Sequence, residues 1–360
     1  MLVGFDAQAT CGKLTGLGNY TCCLLEALRR EITAPLELCV LSQERSRSRD
    51  LNTLERLAWE NGTLSGLARR HKVDILHVPA FAPPFRKPCK VVVTVHDIAG
   101  RLFRNQIGVP SAFYWGQWLP FVIRRADRII ADSEHTKKDL MKYLRIKENM
   151  IRVVYPSGHE TFSALVPEAK VGEVKRTAGI HGRYFLFVGT LEPRKNLGRI
   201  LDAFKAVSAT LRDHQLVIAG SKQFAHGEYS EILARDHALA SDRIVAPGYL
   251  NHESLNALYC GAEALIFPSL YEGFGIPILE AMASGCPVLT SSVTSTPEVA
   301  GEAAIFVDPC DTNAIAEAMK RLALQETLRS ELRLKGFEQI KKFSWRKTAR
   351  ETIEVYKELL

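Results

Sequence analysis

Long apolar runs, metal-binding cysteine patterns and an export signal are all missing from this 360-residue sequence. No stretch of about 18 apolar residues occurs, so the sequence predicts no transmembrane helix. The chain begins directly with the apolar residues Leu2–Phe5, without a charged region and a cleavage site, which argues against secretion. The eight cysteines are scattered, with no C-x2-C pair and no partnering histidine spacing, so neither zinc nor a disulfide framework is indicated. We expect a cytoplasmic protein with reduced thiols.

Acidic residues are outnumbered only in the first part of the chain, where residues 1–160 contain 24 Lys+Arg and 16 Asp+Glu, a net charge of +8. The remaining residues contain 23 basic and 24 acidic side chains, a net charge of −1. The basic excess could serve an anionic acceptor, an acidic lipid surface or nucleic acid, or only solubility. Because zinc-finger and RNA-recognition motifs are absent, we expect no nucleic-acid partner.

Strand and helix patterns alternate along the whole chain, and no self-similar period of about 20–50 residues occurs. This order predicts two doubly wound α/β domains. A length of 360 residues with 46% hydrophobic content allows two cores of ordinary size. The polar interval Ser163–Gly182 has no strong pattern and is predicted to contain the linker. We therefore predict one domain over residues 1–165 and a second over residues 175–344.

The stretch Ile266–Val299 contains the pattern on which the prediction of a binding site depends. An apolar strand ends before Glu272, a glycine-rich loop follows, and a helix begins that tolerates Pro277 in its first turn. Glycines at such a junction let backbone N–H groups approach a ligand, and a helix N-terminus favours an anion. Glu280 lies eight residues after Glu272, so two carboxylates could hold two sugar rings of one ligand. An ordinary βα loop with two solvated glutamates is the alternative.

Two loops of the first domain also follow predicted strands. The strand Leu2–Ala7 leads to Gly16 and Gly18, but the third glycine of a dinucleotide fingerprint is missing, so a phosphate-facing loop and a tight turn both stay open. Val91–Val95 is an almost unbroken β-branched run, as expected for a parallel strand covered on both faces. His96 follows this strand at the carboxyl end, where ligands collect in open α/β sheets, although a histidine there is structural about as often as functional.

A basic pair follows the first strand of the second domain. The predicted strand Tyr184–Thr190 contains Gly189, and Arg194 and Lys195 come next, before a helix. The planar guanidinium of Arg194 can donate two parallel hydrogen bonds to a diphosphate, and the ammonium of Lys195 adds a point charge. Adjacent basic residues on a loop are otherwise usually solvated.

These strings resemble the nucleotide-sugar site of family-4 glycosyltransferases. The residues that carry the resemblance are Ser269, Glu272, Gly273, Phe274, Gly275, Pro277, Glu280, Gly285, Pro287 and Val288, with the strings Val188–Asn196 and Thr94–Asp97. The resemblance implies the GT-B fold, in which two doubly wound Rossmann-like domains face each other across a cleft. The second domain would bind the donor and the first the acceptor. The terminal helix, residues 345–360, would pack back on the first domain.

The resemblance also implies a role for each candidate residue. Glu280 would accept from the ribose and Glu272 from the donor sugar, Arg194 and Lys195 would stabilise the departing diphosphate, and His96 would bond a sugar hydroxyl. The implied catalytic residues are His96, Arg194, Lys195 and Glu272. The implied donor-binding residues are Gly16, Gly18, Gly189, Arg194, Lys195, Gly248, Tyr249, Leu250, Glu272, Gly273, Phe274, Gly275, Ile276, Leu279 and Glu280. No metal, no other cofactor and no protein nucleophile is expected.

The implied activity is retaining transfer of a hexose from a nucleoside diphosphate sugar to a saccharide or lipid-linked saccharide, in polysaccharide or lipopolysaccharide biosynthesis. Mannose from GDP-mannose is favoured, because Thr15–Tyr20 and Thr94–Asp97 resemble mannosyltransferases of surface-polysaccharide assembly. The alternatives are UDP-glucose or UDP-N-acetylglucosamine as donor, a sugar-nucleotide epimerase or hydrolase, and a catalytically silent nucleotide-binding protein.

A segment of the first domain mixes aromatic and basic residues. They are Phe103, Arg104, Phe113, Tyr114, Trp115, Trp118, Phe121, Arg124, Arg125 and Arg128. Such residues can settle at an anionic membrane interface, which would place the protein peripherally at the inner face of the plasma membrane. Core packing of the aromatics beside a solvated basic face is the alternative.

Overall fold

The computed structural model describes residues 1–11, 16–43, 51–80, 82–103, 109–220 and 243–359, with the side chains of Val109 and Pro110 excepted. The chain separates into two compact units, Met1–Pro156 with Phe343–Leu360, and Ser157–Lys342. Residues 12–15 of the predicted glycine loop and Arg104 of the aromatic and basic segment lie outside the described residues.

The first unit contains a parallel sheet. Its strands are β1 Leu2–Asp6, β2 Glu37–Leu41, β3 Ile75–Val78, β4 Lys90–Val95, β5 Arg128–Ala131 and β6 Ile151–Val153. They pair in the order β2-β1-β3-β4-β5-β6. Strand β4 is buried from Val91 to Val95, as its β-branched run predicts for a strand covered on both faces.

The second unit contains a second parallel sheet. Its strands are β7 Arg183–Val188, β8 His214–Ala219, β9 Ile244–Gly248, β10 Ala264–Phe267, β11 Val288–Ser291 and β12 Ala304–Val307. They pair in the order β12-β11-β10-β7-β8-β9. The chain runs outward from β7 to β9 and then returns to β10 on the other side of β7. The strand order therefore reverses between β7 and β10, the position where open α/β sheets bind ligands. The two parallel sheets confirm the predicted α/β fold class.

Helices alternate with the strands in both units. In the first unit they are Gly16–Glu31, Thr53–Ala58, Trp59–Leu64 (π-helical), Ser65–Arg70, Ala99–Leu102, Val109–Phe113, Tyr114–Trp118 (π-helical), Leu119–Ile123, Glu134–Leu144 and Trp345–Lys357, with 3-10 turns at Gln8–Thr10 and Glu148–Met150. In the second unit they are Glu168–Ala178, Leu197–Val207, His252–Gly261, Ile276–Ala283, Thr296–Ala300, Thr312–Leu324 and Glu326–Ile340, with a 3-10 turn at Pro193–Lys195. Within the described ranges, none is both long and apolar enough to span a bilayer.

The terminal helix Trp345–Lys357 belongs to the first unit. Ser344 caps its start by accepting the Lys347 N–H at 3.1 Å. Its apolar side packs on helix Gly16–Glu31, and Trp345 and Tyr356 join the first unit's core. A buried hydrogen bond of 2.6 Å between Tyr356 and His77 adds to this packing, so the helix is an integral part of the unit.

The boundary between the units lies earlier than the sequence predicts. Residues 157–165, which the prediction assigned to the first domain, belong to the second unit. The ring of Phe162 packs edge-on against Tyr259, with 5.7 Å between ring centroids. The backbone N–H of Ser163 donates to Asn256 Oδ1 at 3.3 Å. These contacts could not be predicted from the sequence because they join residues that lie far apart in the chain.

Candidate active site

Two loops meet where the strand order of the second sheet reverses. The loop after β7 carries Arg194 and Lys195, and the loop after the neighbouring β10 carries Glu272. Lys195 Nζ lies 2.6 Å from Glu272 Oε1, and Arg194 Nη1 lies 3.0 Å from Glu272 Oε2. The side chains of Lys195, Arg194 and Glu272 are 10%, 17% and 6% exposed. One nearly buried carboxylate is therefore held by two cations.

Burial and ion pairing together set the charges of this cluster. Burial opposes ionisation of Glu272, but Lys195 and Arg194 outweigh it and hold the pKa of Glu272 below its usual value. Burial lowers the pKa of Lys195, and Glu272 offsets only part of this effect. Lys195 Nζ also lies 5.0 Å from the centroid of the Phe267 ring, within the range of a cation–π contact. The ionised carboxylate thus keeps both cations at the strand ends.

Two supporting residues of this cluster were not predicted from the sequence. Glu192 Oε2 accepts a hydrogen bond from Arg194 Nε at 2.7 Å. Asn196 adopts a left-handed φ of +64°, and its Nδ2 donates to the carbonyls of Pro268 at 2.9 Å and Pro309 at 2.6 Å. Asparagine tolerates this conformation better than most residues, which was the available signal. These contacts fix the turn that presents the basic pair.

The helix Ile276–Ala283 begins directly after the glycine-rich loop. Gly275 precedes it with a φ of +107°, a conformation that favours glycine, and no side chain in the described part of the chain caps this end of the helix. Phe274 is 5% exposed and Leu279 is fully buried, so both anchor the segment in the core. Pro277 lacks an N–H and occupies the first turn. An uncapped helix N-terminus beside a basic pair is suited to an anion.

Glu280 lies one turn further along this helix. Its Oε2 accepts a hydrogen bond from the hydroxyl of Tyr259 at 2.9 Å, and Tyr259 is fully buried. Among the described residues, none donates to Glu280 Oε1. Burial raises the pKa of Glu280 to about 7. The sequence analysis missed Tyr259, because the two residues lie on different helices.

Three glycines lie side by side at the carboxyl ends of β7, β8 and β9. The Gly189 N–H donates to the carbonyl of the last β8 residue at 3.0 Å, and the Gly220 N–H donates to Gly248 O at 2.9 Å. A Cβ on Gly220 would lie 1.9 Å from Gly189 O, so only glycine fits there. Gly220 was not among the predicted site residues. Beyond Gly248, Tyr249 is 58% exposed and Leu250 is half-buried.

In the first unit, both ring nitrogens of His96 are engaged. Nδ1 lies 2.6 Å from Asp132 Oδ2, and Nε2 lies 2.8 Å from the carbonyl oxygen of Pro79. The Tyr20 ring packs edge-on against the imidazole, with 4.5 Å between centroids. Burial opposes protonation, but Asp132 outweighs it and raises the pKa of His96. Since both partners are acceptors, the geometry matches an imidazolium that donates from both nitrogens.

Gly16 and Gly18 lie in the first turn of the helix Gly16–Glu31. A Cβ at Gly16 would meet no atom of another described segment within 4 Å, and Gly18 is buried. Gly16, Gly18 and His96 are the predicted site residues of the first unit, and all the others lie in the second unit.

Comparisons with known proteins agree with this architecture. Two family models match the chain, Glycosyltransferase Family 4 over residues 16–157 and Glycosyl transferases group 1 over residues 176–339. The serotype-specific mannosyltransferase WbdA of Escherichia coli is 30% identical over 283 residues, which is 77% of this chain but only 34% of WbdA. The chain thus spans about a third of the length of that relative. The O-antigen chain mannosyltransferase B of Escherichia coli is 29% identical over 290 residues, 80% of this chain and 75% of the relative.

Among solved structures, the sucrose-phosphate synthase of Thermosynechococcus elongatus is similar with a TM-score of 0.77 at 18% identity, covering 100% of this chain and 99% of that chain. The structure has two parallel six-stranded sheets, and a basic pair and a glutamate lie where the strand order of the second sheet reverses. Together with the similar solved structure and the family model, these features define a glycosyltransferase of the GT-B class. The two family models and the relatives then identify the family. The chain belongs to glycosyltransferase family 4.

Proposed function

We propose that this chain is a retaining hexosyltransferase that moves mannose from GDP-mannose to a saccharide or lipid-linked saccharide in polysaccharide or lipopolysaccharide assembly. The names of the two relatives, both mannosyltransferases, support the choice of sugar. The observation that carries the proposal is the nearly buried cluster of Arg194, Lys195 and Glu272 beside an uncapped helix N-terminus. Such a cluster supplies positive charge to a departing diphosphate.

In this proposal the second unit binds the donor. An ammonium group has three N–H donors. Glu272 occupies one donor of Lys195, and the others can bind diphosphate oxygens. Glu280 Oε1 accepts from the ribose, while the backbone around Gly248 and Tyr249 borders the nucleobase. Gly189, Gly220 and Gly248 favour this approach because they carry no side chains.

The reaction exchanges one glycosidic bond for another. The bond between the sugar C1 and the β-phosphate oxygen breaks, and an acceptor hydroxyl oxygen bonds to C1 on the same face. The hydroxyl proton passes to the leaving diphosphate, so the sugar keeps its anomeric configuration. Negative charge grows on the diphosphate as the bond breaks, and Arg194, Lys195 and the backbone N–H groups at the N-terminus of the helix Ile276–Ala283 stabilise it. The first unit, which contains His96, binds the acceptor.

A panel of nucleotides tests donor binding through thermal stabilisation. A ligand that binds only the folded state, present at 100 times its Kd, stabilises it by about 2.7 kcal/mol. We expect GDP and GDP-mannose to raise Tm more than UDP, ADP and TDP compounds do. Glu280→Ala should lose about half of this shift at the same ligand concentration, because removing the ribose acceptor weakens binding about tenfold.

Glu317→Ala is the matched control for this panel, because the Glu317 side chain is 64% exposed on the helix Thr312–Leu324. It should keep the full shift. A preference for UDP would replace GDP-mannose by UDP-glucose or UDP-N-acetylglucosamine. Turnover without an acceptor would favour an epimerase or hydrolase, and no shift with any nucleotide would favour a silent protein.

We also propose that transfer needs no metal ion. Arg194, Lys195 and the helix N-terminus supply the positive charge that a divalent ion provides in other phosphate-transfer sites. We expect equal transfer rates in EDTA and in magnesium. Activity that EDTA abolishes and a divalent ion restores would contradict this proposal.

Finally, we propose peripheral contact of the first unit with anionic membranes. Phe113 and Phe121 are 50% and 48% exposed. Phe85 stacks on Phe121 with 5.9 Å between centroids, and the Arg125 guanidinium lies 4.6 Å from the centroid of Phe85. Tyr114 in the same segment is fully buried, so part of the segment is core and part is surface. Exposed rings beside arginine fit the headgroup region of a bilayer.

Vesicle flotation tests this contact. We expect the protein to float with phosphatidylcholine vesicles that contain phosphatidylglycerol and not with phosphatidylcholine alone. The double variant Phe113→Ser with Phe121→Ser should float less. Leu334→Ser is the control, because Leu334 is an equally apolar residue, 68% exposed, in the second unit. Equal flotation of all three proteins, or none with anionic vesicles, would contradict this surface.

A further inference from the structure

The loop between β11 and the helix Thr296–Ala300 contains a backbone conformation that its residue disfavours. Thr294 has a φ of +61°, in the left-handed region. Among the described residues, the other non-glycine residues with a positive φ are Lys72, Arg145 and Asn196, and none of these is β-branched. A branched Cβ makes this conformation unfavourable. Such conformations persist where the surroundings over-determine them, and they cluster at functional sites.

Thr294 and its neighbour both contact the donor loop. Thr294 Oγ1 accepts a hydrogen bond from the backbone N–H of Glu272 at 3.3 Å. Ser295 is fully buried, and its Oγ lies 3.0 Å from Glu272 O and 2.8 Å from Phe274 O, the carbonyls to which it donates. Two hydroxyls on one loop thus hold the backbone of the segment Glu272–Phe274.

We infer that Thr294 and Ser295 are positioning residues for the transfer reaction, which fix the backbone of Glu272–Phe274 where it meets the donor diphosphate. The inference rests on the function proposed for the second unit. The Glu272 carboxylate is already fixed by Lys195 and Arg194, and these two hydroxyls fix the main chain of the same residue. Glu272 is therefore held at both ends, and the N–H groups that follow it inherit that orientation.

A purely structural role predicts different behaviour from a positioning role. Thr294→Gly removes the unfavourable Cβ from a left-handed residue, so it should not lower Tm. If the threonine only shaped the loop, this variant would keep full activity. If its hydroxyl positions the donor loop, the variant should be as stable as the wild type and yet slower.

Kinetics of three substitutions at this position test the inference, with Lys195→Met as the reference for the site itself. Thr294→Val keeps the branched shape but lacks the hydroxyl. We expect kcat to fall about tenfold, the rate factor that corresponds to the loss of one hydrogen bond. The donor KM should change less than about twofold, because the loop acts on charge that develops in the transition state. Thr294→Ser should restore kcat to within about twofold of the wild type. Thr294→Gly should match Thr294→Val in kcat without losing Tm.

The outcomes separate the inference from the proposed function. Full activity in Thr294→Val and Thr294→Gly, with activity lost in Lys195→Met, would overturn the positioning role and leave the donor site standing. Full activity in Lys195→Met as well would overturn both. If Thr294→Val fails to fold, the comparison of Thr294→Ser with Thr294→Gly decides, since they differ in the hydroxyl.

Discussion

Lys195→Met should lower kcat/KM for sugar transfer by a factor of about 10²–10³. Lys195 Nζ lies 2.6 Å from Glu272 in a site where its side chain is 10% exposed. A positive charge in such surroundings stabilises a developing anion far more than it would in water. Methionine keeps an apolar stem to pack on the Phe267 ring, so the main change is the lost charge. Initial rates over a range of donor concentrations measure the effect.

A second lysine provides the control for this experiment. Lys320 lies on the helix Thr312–Leu324 with its side chain 41% exposed, so Lys320→Met should leave kcat/KM within about twofold of the wild type. A parallel fall in kcat and kcat/KM in Lys195→Met would place the interaction in the transition state. A rise in KM alone would instead assign Lys195 to ground-state binding. Unchanged kinetics would remove Lys195 from the site.

The positions of the candidate residues could be predicted because they follow from local patterns. The β-branched run Val91–Val95 predicts a buried parallel strand, and His96 is placed at its carboxyl end by chain order alone. The apolar strand Ala264–Phe267 and the glycine-rich loop after it predict the start of a helix, and the structure has that helix at Ile276–Ala283.

The partners of these residues could not be predicted, because they depend on register between distant segments. The pairing of Val95 with Ala131 places the next residues, His96 and Asp132, side by side, and no local pattern specifies that register. The left-handed conformation of Thr294 is a further case, since threonine gives no signal for it. Strand ends were thus predictable, whereas the contacts that tune the charges were not.

Glu272→Ala should destabilise the second unit by about 3–5 kcal/mol, the usual cost of leaving a buried charge unpaired. Lys195 would lose its 2.6 Å partner, whereas Arg194 would keep Glu192 at 2.7 Å. The penalty should therefore fall mainly on Lys195. Adding Lys195→Met should recover part of the loss, because replacing a whole buried ion pair by apolar groups is often neutral. We expect a coupling of about 1–3 kcal/mol in this double-mutant cycle.

Each unit of the protein offers its own probe for this measurement. The four tryptophans, Trp59, Trp115, Trp118 and Trp345, all lie in the first unit, so their fluorescence follows that unit only. Hydrogen exchange of backbone amides in β7 and β10 follows the second unit. Glu272→Ala should lower protection in β7 and β10 and leave the tryptophan transition unchanged. Equal hydrogen-exchange protection of β7 and β10 in the wild type and in Glu272→Ala would contradict the prediction.

The stability lost in Glu272→Ala should depend on pH with a definite sign. Because Lys195 and Arg194 hold the pKa of Glu272 below its usual value, the ion pairs stabilise the fold above the unfolded-state pKa of about 4.3. That contribution disappears as the pH falls through the lower pKa of the folded state. The difference in protection between the wild type and Glu272→Ala should therefore shrink as the pH falls below about 4.3. A difference that grew as the pH fell below about 4.3 would mean that Glu272 is protonated in the folded protein, and the cluster would then lack the anion that keeps its two cations in place.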